Sequence, residues 1–488
     1  DCNRIKIDIC IYSHYTIYII SYFETWRILS MFYGRENERK KLHRMFLSDG
    51  QMISLIYGRR RIGKSELIKQ ALKETDIKSI YYECKQTTER NNVDSLAELM
   101  AEIFDFPKPA FENIEALLQF IFKMSEKEPM ILVLDEYPYL RENSKGLDSI
   151  LQSLIDHYKD TSNMKFIVCG SYVDTMKALL EKQNPLYGRI DLTLNLKPMD
   201  YYESALFYPE FTEEDKVRLF SVFGGIPYYN RLIDGQKSVR ENIIELIASP
   251  GARLENEVSM YLNSEISKIT NANEVFEALA KGFSRYKDIL DQSNVSSGPA
   301  LVDILDKLMR MDVVSKEAPI NDENNKKKSG YFISDNLSLF YYKYIFRNMS
   351  RMNIMDSDVF YDRYIAEDFE TKYVPKSFER ICKQYLIRKN RKGLMDEVFE
   401  KIGKYYYDDP IEKKNGEFDI VTLDDRGYIF YEAKFRKEPV TESVVQNEIR
   451  QVEQTSLECY KYGFFSKSGF ACEKEENRIL IELKKLYK

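Results

Sequence analysis

Unbroken apolar runs and runs of helical period divide this chain into regions. Ile53 to Tyr57, Met130 to Leu134 and the apolar part of "MKFIVCGSYVDTM" are short and lack polar alternation. Such runs predict parallel strands covered on both faces, and the first leads into a helical pattern. From about 271 to 335 the period becomes helical, with Val275, Phe276, Leu279 and Ala280, then Ile289 and Leu290, then Leu301, Ile304, Leu305 and Leu308. Three short helices are expected there. The strand-like "DVVSKEAPI" and "SGYFIS" follow, flanking the polar tip "NDENNKKK" as in a β-hairpin. A mixed aromatic and charged connector, "NLSLFYYKYIFRNMS" and its neighbours, precedes a helix at "VPKSFERICKQYL". In "GEFDIVTLDDRGYIFYEAKFR" a turn at Asp424 to Gly427 joins two strands, and the helix "ESVVQNEIRQVEQTSLECYK" comes after them.

At 488 residues the chain is too long for one core, so several domains are expected. The division predicted is an extension at 1–30, an α/β core at 31–205, a helical lid at 206–265, three helices and a wing at 266–335, a connector at 336–375 and a second α/β domain at 376–488. Lys and Arg number 72 against 78 Asp and Glu, a net charge of −6, so no global cationic field attracts nucleic acid. Residues 376–404 are a local exception, with nine Lys or Arg and four Asp or Glu. That surplus reads either as a solvated helix face or as a phosphate-facing surface. Seven scattered cysteines fit a reducing cytoplasm, and three histidines disfavour zinc. The apolar stretch 9–23 is broken by Ser13, His14 and Thr16 and is shorter than the roughly 20 residues of a membrane span. It is expected to be an extension upstream of Met31, not an anchor.

The run ending at Tyr57 continues as Gly58-x-x-x-x-Gly63-Lys64-Ser65, the strand, loop and helix order of a phosphate-binding P-loop. The loop residues Arg59, Arg60, Arg61 and Ile62, and Glu66 beyond it, complete the expected cradle for ATP. Lys64 is expected on the β and γ phosphates and Ser65 on Mg²⁺. Asp135, at the end of "MILVLD", suits the magnesium shell, and Glu136 suits a base that polarises water. Ser171 either senses the γ phosphate or belongs to a plain strand-to-helix turn. Arg189 is either a finger or sensor arginine or a surface ion pair. Pro227, in "FGGIPYYN", either packs beside the adenine or separates two helices.

Through "FYGRENERKKL", "YGRRRIGKSEL", "ILVLDEYPYL", "FIVCGSYVDTM", "PLYGR" and "FGGIPYYN", residues 32 to about 345 resemble the prokaryotic AAA-type ATPases grouped with STAND signalling ATPases. The resemblance implies that Gly34 and Arg35 sit by the nucleotide and that the Gly-Gly-x-Pro turn belongs to a lid. The helices and hairpin of 266–335 read as a winged helix. It would either touch DNA, with Lys326, Lys327 and Lys328 on phosphates, or act as a lid that regulates domain packing.

In the last region Glu432 and Lys434 project from one face of a strand, and Asp419 can stand beside them across the ladder. Two carboxylates and a lysine suit Mg²⁺-assisted phosphodiester hydrolysis. The spacing resembles the PD-(D/E)xK nucleases, with Phe418 where a proline often stands. That resemblance also implies a metal role for Glu379 on the preceding helix. The fold expected is an α/β P-loop NTPase core with a parallel sheet, a helical lid plus winged helix, and a C-terminal α/β restriction-endonuclease-like domain. ATP would close the lid and change access to the Glu432/Lys434 site. The rival reading is a nucleotide-dependent switch or scaffold whose nuclease-like module is inactive. Expected partners are ATP, DNA, and either further copies of the chain or another protein; no membrane is expected.

Overall fold

Each apolar run of the N-terminal region becomes one strand of a single parallel sheet. In the computed structural model, which describes residues 32–258, 260, 271–325, 327–409 and 414–488, β1 (Met52–Tyr57), β2 (Lys78–Glu83), β3 (Met130–Asp135), β4 (Met164–Gly170) and β5 (Leu192–Asn195) lie in the order β2-β3-β4-β1-β5. The central strands are buried on both sides, with alternate residues feeding two cores. Met130, Leu132 and Leu134 face one, and Ile131 and Val133 face the other. The second core receives α1 (Glu36–Leu47) and α2 (Lys64–Lys73). The carboxyl ends of β1, β3 and β4 therefore open on one edge of the sheet, where α/β folds place their ligands.

Beyond the sheet, α3 (Glu213–Phe223) leads to three helices, α4 (Ala272–Ala280), α5 (Tyr286–Gln292) and α6 (Gly298–Arg310), and an antiparallel pair, β6 (Val314–Glu317) and β7 (Gly330–Ile333). A chain of short helical segments follows, two of them π-helical turns at Tyr341–Ile345 and Phe369–Tyr373. The second turn runs directly into α7 (Val374–Arg391).

The C-terminal sheet has the order β14-β12-β10-β9-β8. Its members are β8 (Lys401–Asp409), β9 (Lys414–Asp424), β10 (Gly427–Lys434), β12 (Cys459–Ser466) and β14 (Arg478–Glu482), while β11 (Val440–Thr441) and β13 (Phe470–Ala471) pair separately. Strands β8 to β10 are antiparallel, and β10, β12 and β14 are parallel. The helix α8 (Glu442–Glu453) separates β11 from β12.

The hairpin tip meets the edge strand of this sheet. Ile320 N–H donates to Lys404 O at 2.8 Å, and the Asn321 side chain brackets the backbone of Tyr406 at 2.8 and 3.1 Å. Ile320 is buried among Tyr405, Phe418 and Val421. The tip thus covers an edge whose backbone groups would otherwise be unpaired. Of the two readings of the hairpin, this contact is the kind that the domain-packing one describes. Lys328 pairs with Asp322 at 2.9 Å and lies over the Tyr406 ring, and Lys327 is exposed beside this contact. Lys326 and the extension at 1–30 lie outside the described residues. Among the described residues no helix is long and apolar enough to cross a membrane.

Candidate functional site: a phosphate loop and a carboxylate–lysine cluster

The loop after β1 is shaped by its glycines. Gly63 has φ 90° and Gly58 φ 155°, and a Cβ on Gly58 would stand 2.5 Å from the Leu196 carbonyl oxygen. Lys64 opens α2 and is buried, its ammonium donating to the carbonyls of Gly58 at 2.9 Å and Arg59 at 3.2 Å. The Ser65 hydroxyl donates to Asp135 at 2.6 Å, and the Tyr81 hydroxyl also donates to that carboxylate. Burial alone would raise the Asp135 carboxyl, but the hydrogen bonds from Ser65 and Tyr81 outweigh it and hold the group below its ordinary range. Glu136, in the left-handed region at φ 50°, is gripped by the Ser171 backbone N–H at 3.2 Å and by the Ser171 hydroxyl.

Lys64, Ser65, Glu136 and Ser171 border a cavity of ≈ 320 Å³, with Arg35, Arg60, Arg61, Ile62, Gly63, Glu66 and Pro227 also on its wall; Gly58 and Asp135 stand behind that lining. Gly34 and Arg35 both take left-handed backbone conformations. Arg35 is buried, donates its backbone N–H to the Glu203 carboxylate at 3.0 Å, and donates its guanidinium to Ile62 O at 3.3 Å. Two expected residues lie elsewhere. Arg59 turns away from the cavity into a buried ion pair with Asp335 at 2.8 Å. Arg189 pairs with Asp156 at 2.8 Å and donates to the carbonyls of Pro185 and Tyr187, so the structure does not bring it to the loop.

In the C-terminal sheet Tyr431 pairs with Ile420, which makes Glu432 and Asp419 the next residues along the two strands. On the other side of β9 the register shifts, so that Asp419 and Ile420 together face Lys404. A bulge of this kind re-aims side chains. Lys404 Nζ lies 2.8 Å from Asp419, and Lys434 Nζ lies 2.8 Å from Glu432 and 2.7 Å from Glu448. Glu379, on α7, is pushed up to about 7 by burial and by the negative charges of Asp419 and Glu432. Burial likewise raises Glu432 against the opposing pull of Lys434. Carboxylate oxygens are the donors a hard cation takes. Among the described residues, however, no three His, Cys, Asp or Glu side chains are grouped to hold a metal ion. Lys404 and Lys434 lie against Asp419 and Glu432, two of the three carboxylates expected to hold a metal with Glu379.

Residues 32–232 match a family described as an ATPase domain predominantly from Archaea, and residues 341–452 match one described as archaeal and bacterial proteins of unknown function. The N-terminal part of this chain is similar to that ATPase family and has the parallel-sheet P-loop fold. A Walker-type ATPase of Pyrococcus abyssi shares that fold at 19% identity and a TM-score of 0.50, covering 64% of this chain and 96% of its own. An uncharacterised protein of Methanocaldococcus jannaschii is 26% identical over 452 residues, covering 92% of this chain and 97% of its own length.

Several residues of the ATPase domain escaped the motif reading. Tyr33, Phe207 and Tyr228 supply aromatic wall to the cavity, and Arg231 adds a cation. Tyr33 and Phe207 stand 4.9 Å apart between ring centres, and Arg61 lies over the Tyr228 ring at 4.2 Å. Tyr81 reaches Asp135 because β2 pairs with β3 in a register that sets Glu83 opposite Asp135. The "YY" of "SIYYE" is the signal, and it becomes readable only with the strand order.

Proposed function

We propose that this ATPase binds and hydrolyses Mg·ATP at the loop and thereby governs a nuclease-like C-terminal module that acts on DNA. Lys64 would hold the β and γ phosphates, Ser65 and Asp135 the magnesium shell, and Glu136, steadied by Ser171, the attacking water. Gly34, Arg35 and Pro227 would border the nucleoside. The hydrogen-bonded Ser65–Asp135 pair fits a hydrated Mg²⁺, since hydroxyl and carboxylate oxygens suit that ion.

The observation that carries the nuclease half is the adjacency of Asp419 and Glu432 at the end of the β9–β10 ladder. Glu379 on α7 lies within their field and Lys434 is two residues further on. The donor types fit a divalent cation at Asp419 and Glu432, with Glu379 behind them. Bound there, such an ion would supply charge neutralisation and a water of lowered pKa. Lys434 would orient that water or steady the scissile phosphate. Arg59 links the nucleotide loop to this module through Asp335, whose backbone neighbour Asn336 is held by α3.

The test is Mg²⁺- or Mn²⁺-dependent cleavage of linear, nicked and branched DNAs, with and without ATP, by wild type and Lys434→Ala. Cleavage lost in the variant supports the reading. Intact ATP hydrolysis with no cleavage by wild type rejects the nuclease half. The lysines seated on Asp419 and Glu432 favour one second reading, a nucleotide-dependent switch whose module binds DNA without cutting it.

A further inference from the structure

A cleft of ≈ 480 Å³ opens between the β6–β7 hairpin unit and the C-terminal domain and ends at Glu379 and Asp419. Its two rims carry cations from different parts of the chain. Lys281 stands on the hairpin side, and Lys372 and Lys376 stand on the other; all three are exposed. Among the described residues neither Lys281 nor Lys376 has a carboxylate within ion-pair distance. Deeper in, Arg380 donates to Ser377 at 3.2 Å and likewise has no carboxylate in ion-pair range among those residues. Lining side chains of both signs are present, seven basic and four acidic, so the surplus is positive although the chain as a whole is negative. Between the rims, Tyr331 and Phe332 of β7 expose part of their rings, and Lys404 Nζ lies 5.2 Å from the centre of the Phe332 ring.

Cations on both rims, aromatic faces between them and carboxylates at the end make up a path for a phosphate backbone with bases beside it. Aromatic rings receive unstacked bases, each such contact contributing roughly 1–3 kcal/mol. Cavities of roughly 300–1,000 Å³ enclose ligands of drug size, which is the scale of a nucleotide or two and not of a duplex. Resting on the DNA-acting reading above, we propose that this cleft takes a single-stranded nucleic-acid end and leads it to Asp419, so that the module's substrate is a free or overhanging strand and not continuous duplex.

Binding can be separated from cleavage by measuring fluorescence anisotropy in EDTA. The probes are a labelled oligo(dT) 12-mer, an oligo(U) 12-mer, a blunt duplex and the same duplex with an overhang. The full chain is compared with Lys281→Glu, Lys376→Glu and Phe332→Ala, and with Lys145→Glu on the exposed surface of the ATPase domain as control. The expected result is at least tenfold tighter binding of oligo(dT) or oligo(U), and of the overhang, than of the blunt duplex. The two single-stranded arms separate DNA from RNA as the source. Each lysine variant should weaken binding and reduce the magnitude of the salt slope by about 0.7 per lost phosphate contact. Phe332→Ala should weaken binding with the slope unchanged. Equal or tighter duplex binding overturns the inference, as does indifference of oligonucleotide binding to all three variants. Cleavage that prefers continuous duplex rejects the cleft assignment and leaves the nuclease reading intact. Single-strand binding without cleavage of any substrate supports the cleft and rejects the nuclease.

Discussion

Arg59 and Asp335, 276 positions apart, form an ion pair of 2.8 Å in which each side chain is 4% exposed. One partner belongs to the phosphate loop. The other caps the helix Asn336–Phe340, its second oxygen accepting from Ser338 N–H at 2.9 Å and from the Ser338 hydroxyl at 2.5 Å. Asn336 then donates to Phe220 O at 2.6 Å, and Tyr373, the residue before α7, donates to Ser221 O at 3.0 Å. The loop that would hold phosphate is therefore tied by short polar contacts to the helix that carries Glu379.

Removing one partner of this pair leaves a buried charge without compensation. Asp335→Ala is expected to lower unfolding free energy by about 3–5 kcal/mol, whereas Arg59→Met with Asp335→Leu restores much of that loss. Urea denaturation of the two single variants and the double variant measures the difference. Near-additive losses would show that the pair has no special coupling.

Under the proposed function, variants of Glu136 and Ser171 should separate nucleotide binding from hydrolysis. Glu136→Gln should bind ATP as wild type does while its turnover falls by about 10²–10⁴, the range removed with a general base. Lys64→Ala should lose binding as well. Ser171→Ala removes the hydroxyl contact to the Glu136 carboxylate but leaves the backbone N–H, so turnover should fall about tenfold with KM little changed. Steady-state phosphate release and nucleotide-binding fluorescence decide these cases. A KM effect equal to the kcat effect in Ser171→Ala would place the serine on the substrate instead.

Lys64, Ser65 and Asp135 are brought together by features that are local in sequence: two glycines at fixed spacing, and two apolar runs that become strands of one sheet. Contacts made across strands are not written that way. Tyr81 on Asp135 and Lys404 on Asp419 depend on which strands are neighbours and, for Lys404, on a bulge that shifts the register. The hairpin tip leaves both a phosphate-contacting wing and a packing lid open, because nothing in "NDENNKKK" announces the edge of β8 further along the chain. Arg59 sits inside the loop motif, yet its partner lies far along the chain, and only tertiary structure reveals that it serves the joint and not the cavity wall.

The contact between α1 and α2 makes a pH prediction. Burial would raise the Glu74 carboxyl, but hydrogen bonds from Gln70, His43 and Arg39 outweigh it and hold the group below its ordinary value. A carboxyl with a depressed folded-state pKa contributes stability that is present above its unfolded pKa and is lost as pH falls through the folded one. Glu74→Gln should therefore be less stable than wild type at pH 7 by about 1 kcal/mol, allowing for screening at the partly exposed Arg39. The difference should close below the ordinary carboxylate range. Paired urea titrations from pH 7 to pH 3 follow it, and a gap that stays constant with pH would show that shape, not charge, causes the loss.

Lys404 offers the sharpest test of the C-terminal cluster. Its ammonium contacts Asp419 at 2.8 Å and Glu417 at 2.5 Å, so a cation approaching Asp419 must first displace it. Lys404→Met keeps the aliphatic stem and the backbone carbonyl that receives Ile320, and removes the competing charge. If Asp419, Glu432 and Glu379 form a metal site, Mn²⁺ affinity measured by calorimetry should rise about tenfold, equivalent to about 1.4 kcal/mol. Asp419→Asn on that background should abolish the gain. DNA cleavage need not follow affinity, because the same ammonium lines the cleft that leads to the carboxylates. Tighter Mn²⁺ binding with weaker oligonucleotide binding would assign Lys404 both roles. Unchanged Mn²⁺ binding in Lys404→Met would mean that Asp419 is an ion-pair partner and not a ligand, and the module would then act by binding alone.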